Sequence, residues 1–344
     1  MHSLSLQMLI ALAAAGGGAF AARFGVPLGW LLGTAIVTAS CSFAGYRVRF
    51  PAMLYRGALV VVGTGVGLSI TSGVAEQLGS VLYLVPVAAL CSIAIGRLLT
   101  PLFGRMSGLD MATAHFSLVP AGIAEMAETS AHYGADVGTV ATMHALRVLL
   151  IVLILPAALA YVVEPHTSVV APVTGTWTWS LALAFVIGGF AGKLGSLVRM
   201  PNPYMLAPIM VLLLASGSNL IEAHEPRVLV VLAQIAVGLN LGSRFDRVTI
   251  QKLPRAFAAA LPIMLFHAAL MVALACGASW LSGVDVPSAI LGFATGGTVE
   301  MVLTAKTIGA DIAFVTIFQA ARGVFGNVLA GLIYQRTYKR QCLP

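Results

Sequence analysis

The sequence predicts an all-α polytopic membrane protein made of two inverted-topology repeats. Of its 344 residues, 59% are hydrophobic and only 9% are charged, and the mean hydropathy is +0.96. A soluble domain carries about 25% charged residues, whereas here apolar runs of membrane-spanning length follow one another with little between them. A long segment also occurs twice, and basic loops alternate out of phase between the two halves. Composition, duplication and loop charge together define the expected fold.

The duplicated segments are residues 109–147 and 284–322, which align without a gap at an offset of 175. Matches that include charged residues and glycines, in a chain so poor in charge, indicate an internal duplication. The clearest matched pairs are Asp110 with Asp285, Gly122 with Gly297, Glu125 with Glu300, Asp136 with Asp311, and Arg147 with Arg322. We therefore expect a first membrane repeat at 1–163, a polar linker at 164–176 and a second repeat at 177–344.

Each repeat contains six apolar segments. In the first repeat they cover approximately 4–22, 27–45, 57–74, 78–100, 111–133 and 137–163. In the second they cover 177–192, 203–221, 228–243, 256–281, 287–305 and 312–334. Pro120-Ala121-Gly122 and Gly296-Gly297 interrupt the fifth segment of each repeat, and such residues break a helix inside a membrane. A re-entrant or broken fifth segment leaves five crossings per repeat.

Loop charges predict how the two repeats are oriented. Basic loops follow the second and fourth segments of the first repeat (46–56 and 97–105), but the first and third segments of the second repeat (193–199 and 244–255). The positive-inside rule then gives the repeats opposite orientations, with both termini cytoplasmic in a bacterial inner membrane. Every charge-bearing loop fits this topology except the one that contains Arg23, which lies on the outer side. Inverted repeats with broken helices are typical of secondary transporters.

Several classes of function receive no support from the sequence. The net charge of +7 comes mostly from short loops, where Lys and Arg report topology rather than nucleic-acid binding. The four cysteines show no CxxC and no metal-ligand spacing. The seven histidines form no i,i+3 or i,i+4 pair, and no hydrolase, Walker or dinucleotide motif occurs. We expect neither an enzyme nor a metal protein.

The duplicated motif resembles the AbrB family of membrane proteins. It runs Pro-Ala-Gly-x-x-Glu-Met at 120–126 and Thr-Gly-Gly-x-x-Glu-Met at 295–301, each with Gly-Ala-Asp and an arginine downstream. The family's Pro-Gly-Gly is incomplete in both copies, since Ala121 replaces its middle glycine and Thr295 its proline. Members of this family, which is unrelated to the soluble DNA-binding regulator of the same name, carry labels such as ammonia monooxygenase or regulator of gene expression. The resemblance implies these activities as alternatives. The layout is also similar to that of citrate and glutamate sodium symporters, at the level of fold alone.

Two carboxylates follow the breaks directly. Glu125 lies three residues after Gly122, and Glu300 lies three residues after Gly297. A carboxylate inside a membrane is costly, so it is usually paired, protonated or exposed to a polar cavity. Glu125 and Glu300 are therefore candidate sites for a coupling H⁺ or Na⁺ or for a substrate contact. The alternative is a structural role, as an ion pair or a helix cap.

Two arginines, Arg147 and Arg322, lie deep inside apolar helices, too deep for easy contact with water. A guanidinium there is a candidate ligand for a substrate carboxylate or phosphate. The alternative is a brace, since opposite charges recur together in both repeats. The carboxylates available for such pairing are Glu125, Glu300, Asp136 and Asp311. The two aspartates also precede long apolar runs and are predicted N-caps.

The remaining candidates are glycines and polar residues within apolar segments. Gly122, Gly296 and Gly297 would leave backbone groups free at membrane depth, where half-helix N-termini bind anions. The same glycines equally suit close helix packing. The polar side chains are either cavity ligands or interhelical hydrogen-bond partners. They are Thr64, Gln234 and Asn240, and Thr298 and Gln319 are further candidates for binding the substrate or ion.

These features favour a secondary transporter of a small solute, anionic if the arginines bind it, working by alternating access. No cofactor is expected beyond a coupling H⁺ or Na⁺. The expected partners are the lipid bilayer, the solute and, by analogy with the symporters, a second copy of the chain. The alternative is a membrane-embedded regulator of gene expression. A membrane monooxygenase ranks third, because the histidines do not support it.

Overall fold

The computed structural model describes seven stretches of the chain and four isolated positions between them. The stretches are 4–46, 50–69, 81–162, 175–198, 200–217, 223–245 and 254–338. Within them the chain forms helices and no strand. The predicted linker at 164–176 lies outside the described residues up to position 174, as do parts of the basic loops at 46–56, 193–199 and 244–255.

The described residues form fourteen helices, seven in each half of the chain. In the first half they are α1 (Leu4–Arg23), α2 (Gly29–Phe43), α3 (Ala52–Ser69), α4 (Leu84–Ser107), α5 (Met111–Leu118), α6 (Ile123–Ala131) and α7 (Val137–Val162). In the second they are α8 (Trp179–Leu197), α9 (Pro203–Gly217), α10 (Arg227–Gly242), α11 (Pro254–Ser282), α12 (Val286–Phe293), α13 (Thr298–Ile308) and α14 (Ile312–Thr337). Every predicted apolar segment overlaps a helix, and the fifth segment of each repeat is split in two.

Helix length and composition define a multi-pass membrane protein. Among the described residues, the helices long and apolar enough to cross a membrane number seven: α1, α3, α4, α7, α8, α11 and α14. Three shorter apolar helices are α2, α9 and α10. Large apolar side chains such as Phe20, Phe190 and Trp280 are largely exposed, which suits contact with lipid rather than water. The ten crossings and the inverted orientation stay predictions, because length and composition do not establish which helices cross.

The chain divides into two compact units. The first comprises residues 1–80, 153–243 and 302–313. Within it α2 packs on α1 and α10, and α9 packs on α3 and α8. Small residues allow these helices to approach closely, as is usual in membranes. A Cβ at Gly33 of α2, for example, would overlap with the backbone of Gly17 in α1.

The second unit comprises residues 81–152, 244–301 and 314–344, and it contains the break of each fifth segment. Within it α11 packs on α4 and α12, and α4 packs on α5. Apolar side chains such as Phe103, Met143 and Ile263 form one core cluster of this unit. A second cluster, around Phe116 and Met126, surrounds the first break.

Aspartates start the helices on either side of the broken segments. Asp110 accepts a hydrogen bond from the Thr113 amide at 2.9 Å, and its repeat counterpart Asp285 accepts one from the Ser288 amide at 2.9 Å. Asp136 accepts one from the Thr139 amide at 2.6 Å, which confirms it as the N-cap of α7. Asp311 directly precedes α14, the corresponding helix of the second repeat.

Candidate functional site

The two breaks are short extended stretches between pairs of half-helices. The first separates α5 from α6 at residues 119–122, and the second separates α12 from α13 at 294–297. Val119 has φ −65° and ψ 120°, and Ala294 has φ −57° and ψ 139°, so both leave the helical region where their half-helix ends. A break frees backbone carbonyls that an unbroken helix would satisfy, and at membrane depth these carbonyls need other donors.

Two buried arginines supply donors at the second break. The Nε of Arg147, on α7, donates to the carbonyl oxygen of Thr295 at 2.9 Å. An Nη of Arg322, on α14, donates to the neighbouring carbonyl of Gly296 at 2.7 Å. Both side chains are almost completely buried, with 2% and 4% of their surface exposed. The two guanidinium groups therefore bind successive peptide carbonyls of one break.

Each arginine is held by a neutral side chain three residues earlier on the same helix. An Nη of Arg147 contacts Nδ1 of His144 at 3.0 Å, and an Nη of Arg322 donates to Oε1 of Gln319. A guanidinium cannot accept a hydrogen bond, so Nδ1 of His144 must carry the lone pair. The proton of His144 is then on Nε2, and the imidazole is neutral.

His144 and Gln319 also bind the half-helices that precede the breaks. Nε2 of His144 donates to the Phe116 carbonyl at 2.7 Å, and Nε2 of Gln319 donates to the Leu291 carbonyl at 2.6 Å. Within α5 the natural donor to Phe116 would be residue 120, but Pro120 has no N–H. His144 supplies the hydrogen bond that this proline removes.

The duplication is preserved in one part of this network and lost in the other. His144 aligns with Gln319 and Phe116 with Leu291 at the offset of 175. The hydrogen bonds from these two side chains to the half-helices, here called the helper contacts, are therefore equivalent in the two repeats. The arginines are not used equivalently, because Arg147 and Arg322 both donate to the second break. At the first break a glycine of α14, Gly326, lies against the Pro120 carbonyl instead. The hydrogen bonds from both buried guanidiniums to the backbone are therefore concentrated at the second break, residues 294–297.

Several N–H groups at the second break have no partner among the described residues. They are one Nη of Arg147 together with Nε and one Nη of Arg322, and the Thr295 hydroxyl is unpaired as well. Two positive charges thus lie buried at adjacent carbonyls, with spare donors and without a carboxylate bound to either. A buried charge without a partner is strongly unfavourable. The site is therefore suited to an anion.

The expected ion pairs between these arginines and Glu125, Glu300, Asp136 or Asp311 are wrong. The described partners of both guanidiniums are carbonyl oxygens, an imidazole and an amide. The physical reason is that the breaks leave carbonyls unsatisfied inside the protein, and these accept from the guanidiniums in place of carboxylates. The brace expected from the sequence is present, but it acts on the backbone.

The two glutamates fold back over the glycines before their own helices. A Cβ at Gly122 would overlap with the Glu125 carboxylate, and a Cβ at Gly297 would overlap with the Glu300 carboxylate. A glutamate in the first turn that reaches back to the start of its helix is the glutamate half of a capping box, and its charge suits the helix N-terminus. This geometry supports the capping alternative, and the coupling role stays a prediction. Glu125 is half-buried and Glu300 is 7% exposed.

The remaining sequence candidates fall into both units. Thr298 starts α13 in the second unit and is half-buried. In the first unit, Thr64 is fully buried on α3, where it lies against Gly188 and its hydroxyl has no partner among the described residues. Gln234 and Asn240 are half-buried on α10.

Sequence reasoning missed His144 as a member of the site. Histidines are recognised in a sequence mainly as metal ligands, and His144 has no partner histidine at helical spacing. The available signal was its alignment with Gln319, combined with the three-residue spacing from each of these residues to the following arginine.

Apolar helices of membrane-spanning length and two broken segments with buried polar groups define a polytopic helical membrane protein with an internal polar site. The family model described as "Transition state regulatory protein AbrB" matches residues 30–337, and the chain belongs to this family. It is similar to "Putative regulator AbrB" of Escherichia coli (strain K12), with 29% identity over 321 residues, covering 89% of this chain and 88% of that protein. It is also similar to "Uncharacterized protein YhjN" of Bacillus subtilis (strain 168), with 26% identity over 355 residues, covering 95% and 91%. The family resemblance is thereby confirmed.

Proposed function

We propose that this protein is a secondary transporter of a small anionic solute that works by alternating access. The observation that carries the proposal is the pair of buried guanidiniums at the second break. Arg147 and Arg322 bind adjacent carbonyls there and keep three nitrogen donors unused among the described residues. A guanidinium fork matches the geometry of a carboxylate or phosphate group. An anion is the ligand that would use these donors and balance the charge.

The backbone at the break supports the same function. Extended peptide at membrane depth is tolerated only where it is buried in protein or lines a wet cavity, and discontinuous helices are typical of secondary transporters. In such proteins the binding site lies at the helix breaks. We propose that residues 295–297 and the two arginines form the anion site, with H⁺ or Na⁺ as the coupling ion.

Anion flux into proteoliposomes tests this proposal. The panel contains choline salts of monocarboxylates, dicarboxylates, phosphate and sulfate. We expect saturable uptake of at least one class by the native protein and its loss in Arg322→Gln. Arg105→Gln is the matched control, since Arg105 is an exposed arginine at the end of α4.

A second variant protects the test against simple misfolding. Arg322→Lys keeps the buried charge but lacks the planar fork, so we expect it to fold and to raise the KM for the anion. Folding is checked by the thermal unfolding midpoint in detergent. If no anion of the panel moves, or if folded Arg322→Gln transports as well as the native protein, the proposal is wrong.

The name of the Escherichia coli relative points to a second candidate, regulation of gene expression from the membrane. The two candidates are separated by complementation of a strain that lacks the gene. If regulation is a consequence of transport, Arg322→Gln fails to restore the normal transcript pattern. Restoration by a variant without transport would favour a direct regulatory role.

A further inference from the structure

A salt bridge in the first unit joins the end of α13 to the loop before α10. Nζ of Lys306, in the last turn of α13, contacts Oε1 of Glu225. The Glu225 side chain is only 8% exposed, and that of Lys306 is 28% exposed. The second carboxylate oxygen of Glu225, Oε2, is buried and has no hydrogen-bond partner among the described residues.

Glycine makes room for this carboxylate. A Cβ at Gly65 of α3 would overlap with the Glu225 carboxylate, so the group occupies space that any other residue at position 65 would fill. A small cavity adjoins the ion pair, and apart from Glu225 and Lys306 its walls are aliphatic. These wall residues are Val61, Val62, Val66, Val230 and Leu303.

The ion pair has no counterpart in the other repeat. At the offset of 175, Lys306 aligns with Ala131. The positions that correspond to Glu225, residues 51–54, contain no acidic residue. The helper contacts of His144 and Gln319 recur in both repeats, as expected for scaffold, whereas this pair occurs once. An ion pair that is present in just one of the two repeats is suited to a step that occurs once in each transport cycle.

The chemistry of the surroundings restricts what the free oxygen can bind. A hard metal cation needs several oxygen ligands, and the aliphatic wall supplies none beyond the carboxylate itself. A proton needs a single oxygen. On the described parts of the neighbouring elements, the other titratable residues are Tyr55 and Arg56 of α3, His224, Arg227 of α10 and Glu300 of α13. Glu225 is hydrogen-bonded to none of them among the described residues.

We propose that Glu225 is the proton-binding site of the transport cycle, with Lys306 as its internal counter-ion. This proposal rests on the transport function proposed above and names the coupling ion. The Glu225 carboxylate accepts a proton and becomes a carboxylic acid, Lys306 keeps its own proton, and the ion pair opens. The charge of the pair changes from zero to plus one, and a bound anion offsets this change.

The position of Lys306 gives this step a route to the substrate. Lys306 lies in the last turn of α13, the helix that begins directly after Gly297 of the second break. While the pair is closed, the end of α13 is held to the loop before α10. When Glu225 is protonated, that end of the helix is released. Proton binding and the conformation of the break are thereby coupled through one continuous helix.

Infrared difference spectroscopy of the purified protein tests proton binding without any substrate. In choline buffer we expect acidification to produce a carboxylic-acid band that is absent from Glu225→Gln and retained in Glu128→Gln, a variant of an exposed glutamate on α6. If the native protein and Glu225→Gln show the same bands, the proposal is wrong. A change in carboxylate bands on adding sodium at constant pH, lost in Glu225→Gln, would assign a sodium site instead and also overturn it.

Proteoliposomes test the coupling with an anion that the native protein transports. Under an inward proton gradient we expect the native protein to accumulate the anion and Glu225→Gln only to equilibrate it. If Glu225→Gln does not fold because Lys306 is left without a partner, the double variant Glu225→Gln/Lys306→Met replaces it in the same test, since it removes both charges. Proton-driven accumulation by either folded variant would refute the proposal. Native protein that moves no anion but shows the Glu225 band would refute transport while leaving the proton site standing.

Discussion

Replacement of His144 by leucine or glutamine tests the hydrogen-bond network at the breaks. Leucine removes both roles of the imidazole, namely the proton donated to the Phe116 carbonyl and the acceptor for Arg147. Glutamine keeps both roles, because Gln319 performs them at the equivalent position of the second repeat. The duplication itself therefore supplies the matched control.

The expected cost of the leucine variant follows from two lost hydrogen bonds at a fully buried position. Each bond contributes on the order of 1 kcal/mol, and a buried carbonyl or N–H left without a partner adds to this cost, so His144→Leu should lower the free energy of unfolding by roughly 2–4 kcal/mol. His144→Gln should stay within about 1 kcal/mol of the native protein.

Unfolding in detergent by titration with sodium dodecyl sulfate, followed by circular dichroism, measures both variants. Equal stability of His144→Leu and His144→Gln would refute the reasoning, because it would show that the Phe116 carbonyl and the Arg147 N–H do not need this side chain. Loss of stability in both variants alike would show that glutamine does not reproduce the imidazole contacts.

Three further predictions concern a cap, a glycine and the topology. Asp136→Ala removes the acceptor for the Thr139 amide at the start of α7 and should lower the free energy of unfolding by about 1 kcal/mol in the same assay. Asp136→Asn should recover most of this loss. An alanine variant as stable as the native protein would contradict the capping role. Gly65→Ala introduces a Cβ where the Glu225 carboxylate lies, so we expect it to open the ion pair and reduce proton-driven uptake. The control is Gly57→Ala, whose Cβ meets no neighbouring atom and should leave uptake unchanged. Equal uptake by the two variants would show that the Glu225 carboxylate does not need the space at position 65. Reporter fusions should place the 164–176 linker outside the cell and the C-terminus in the cytoplasm, and the same side for both would exclude the inverted orientation.

Much of the architecture follows from local features of the sequence. Composition predicts that the chain is a membrane protein. The helix ends are predicted by residues that act on their immediate neighbours. Pro120 and the Gly296-Gly297 pair broke their segments where expected, and Asp136 caps the helix that follows it. Backbone breaks and caps depend on contacts within a few residues, which is why the sequence alone predicts them.

The partners of the charged residues were decided only by the tertiary structure. The sequence showed that Arg147 and Arg322 are equivalent, and yet both donate to the second break and neither binds a carboxylate of the described residues. It likewise held no sign that Lys306 pairs with Glu225, which lies 81 positions earlier. A buried charge takes whatever group packing brings within hydrogen-bond distance, and where helix breaks leave carbonyls free those groups compete with carboxylates. The spacing of residues along the chain does not contain that information.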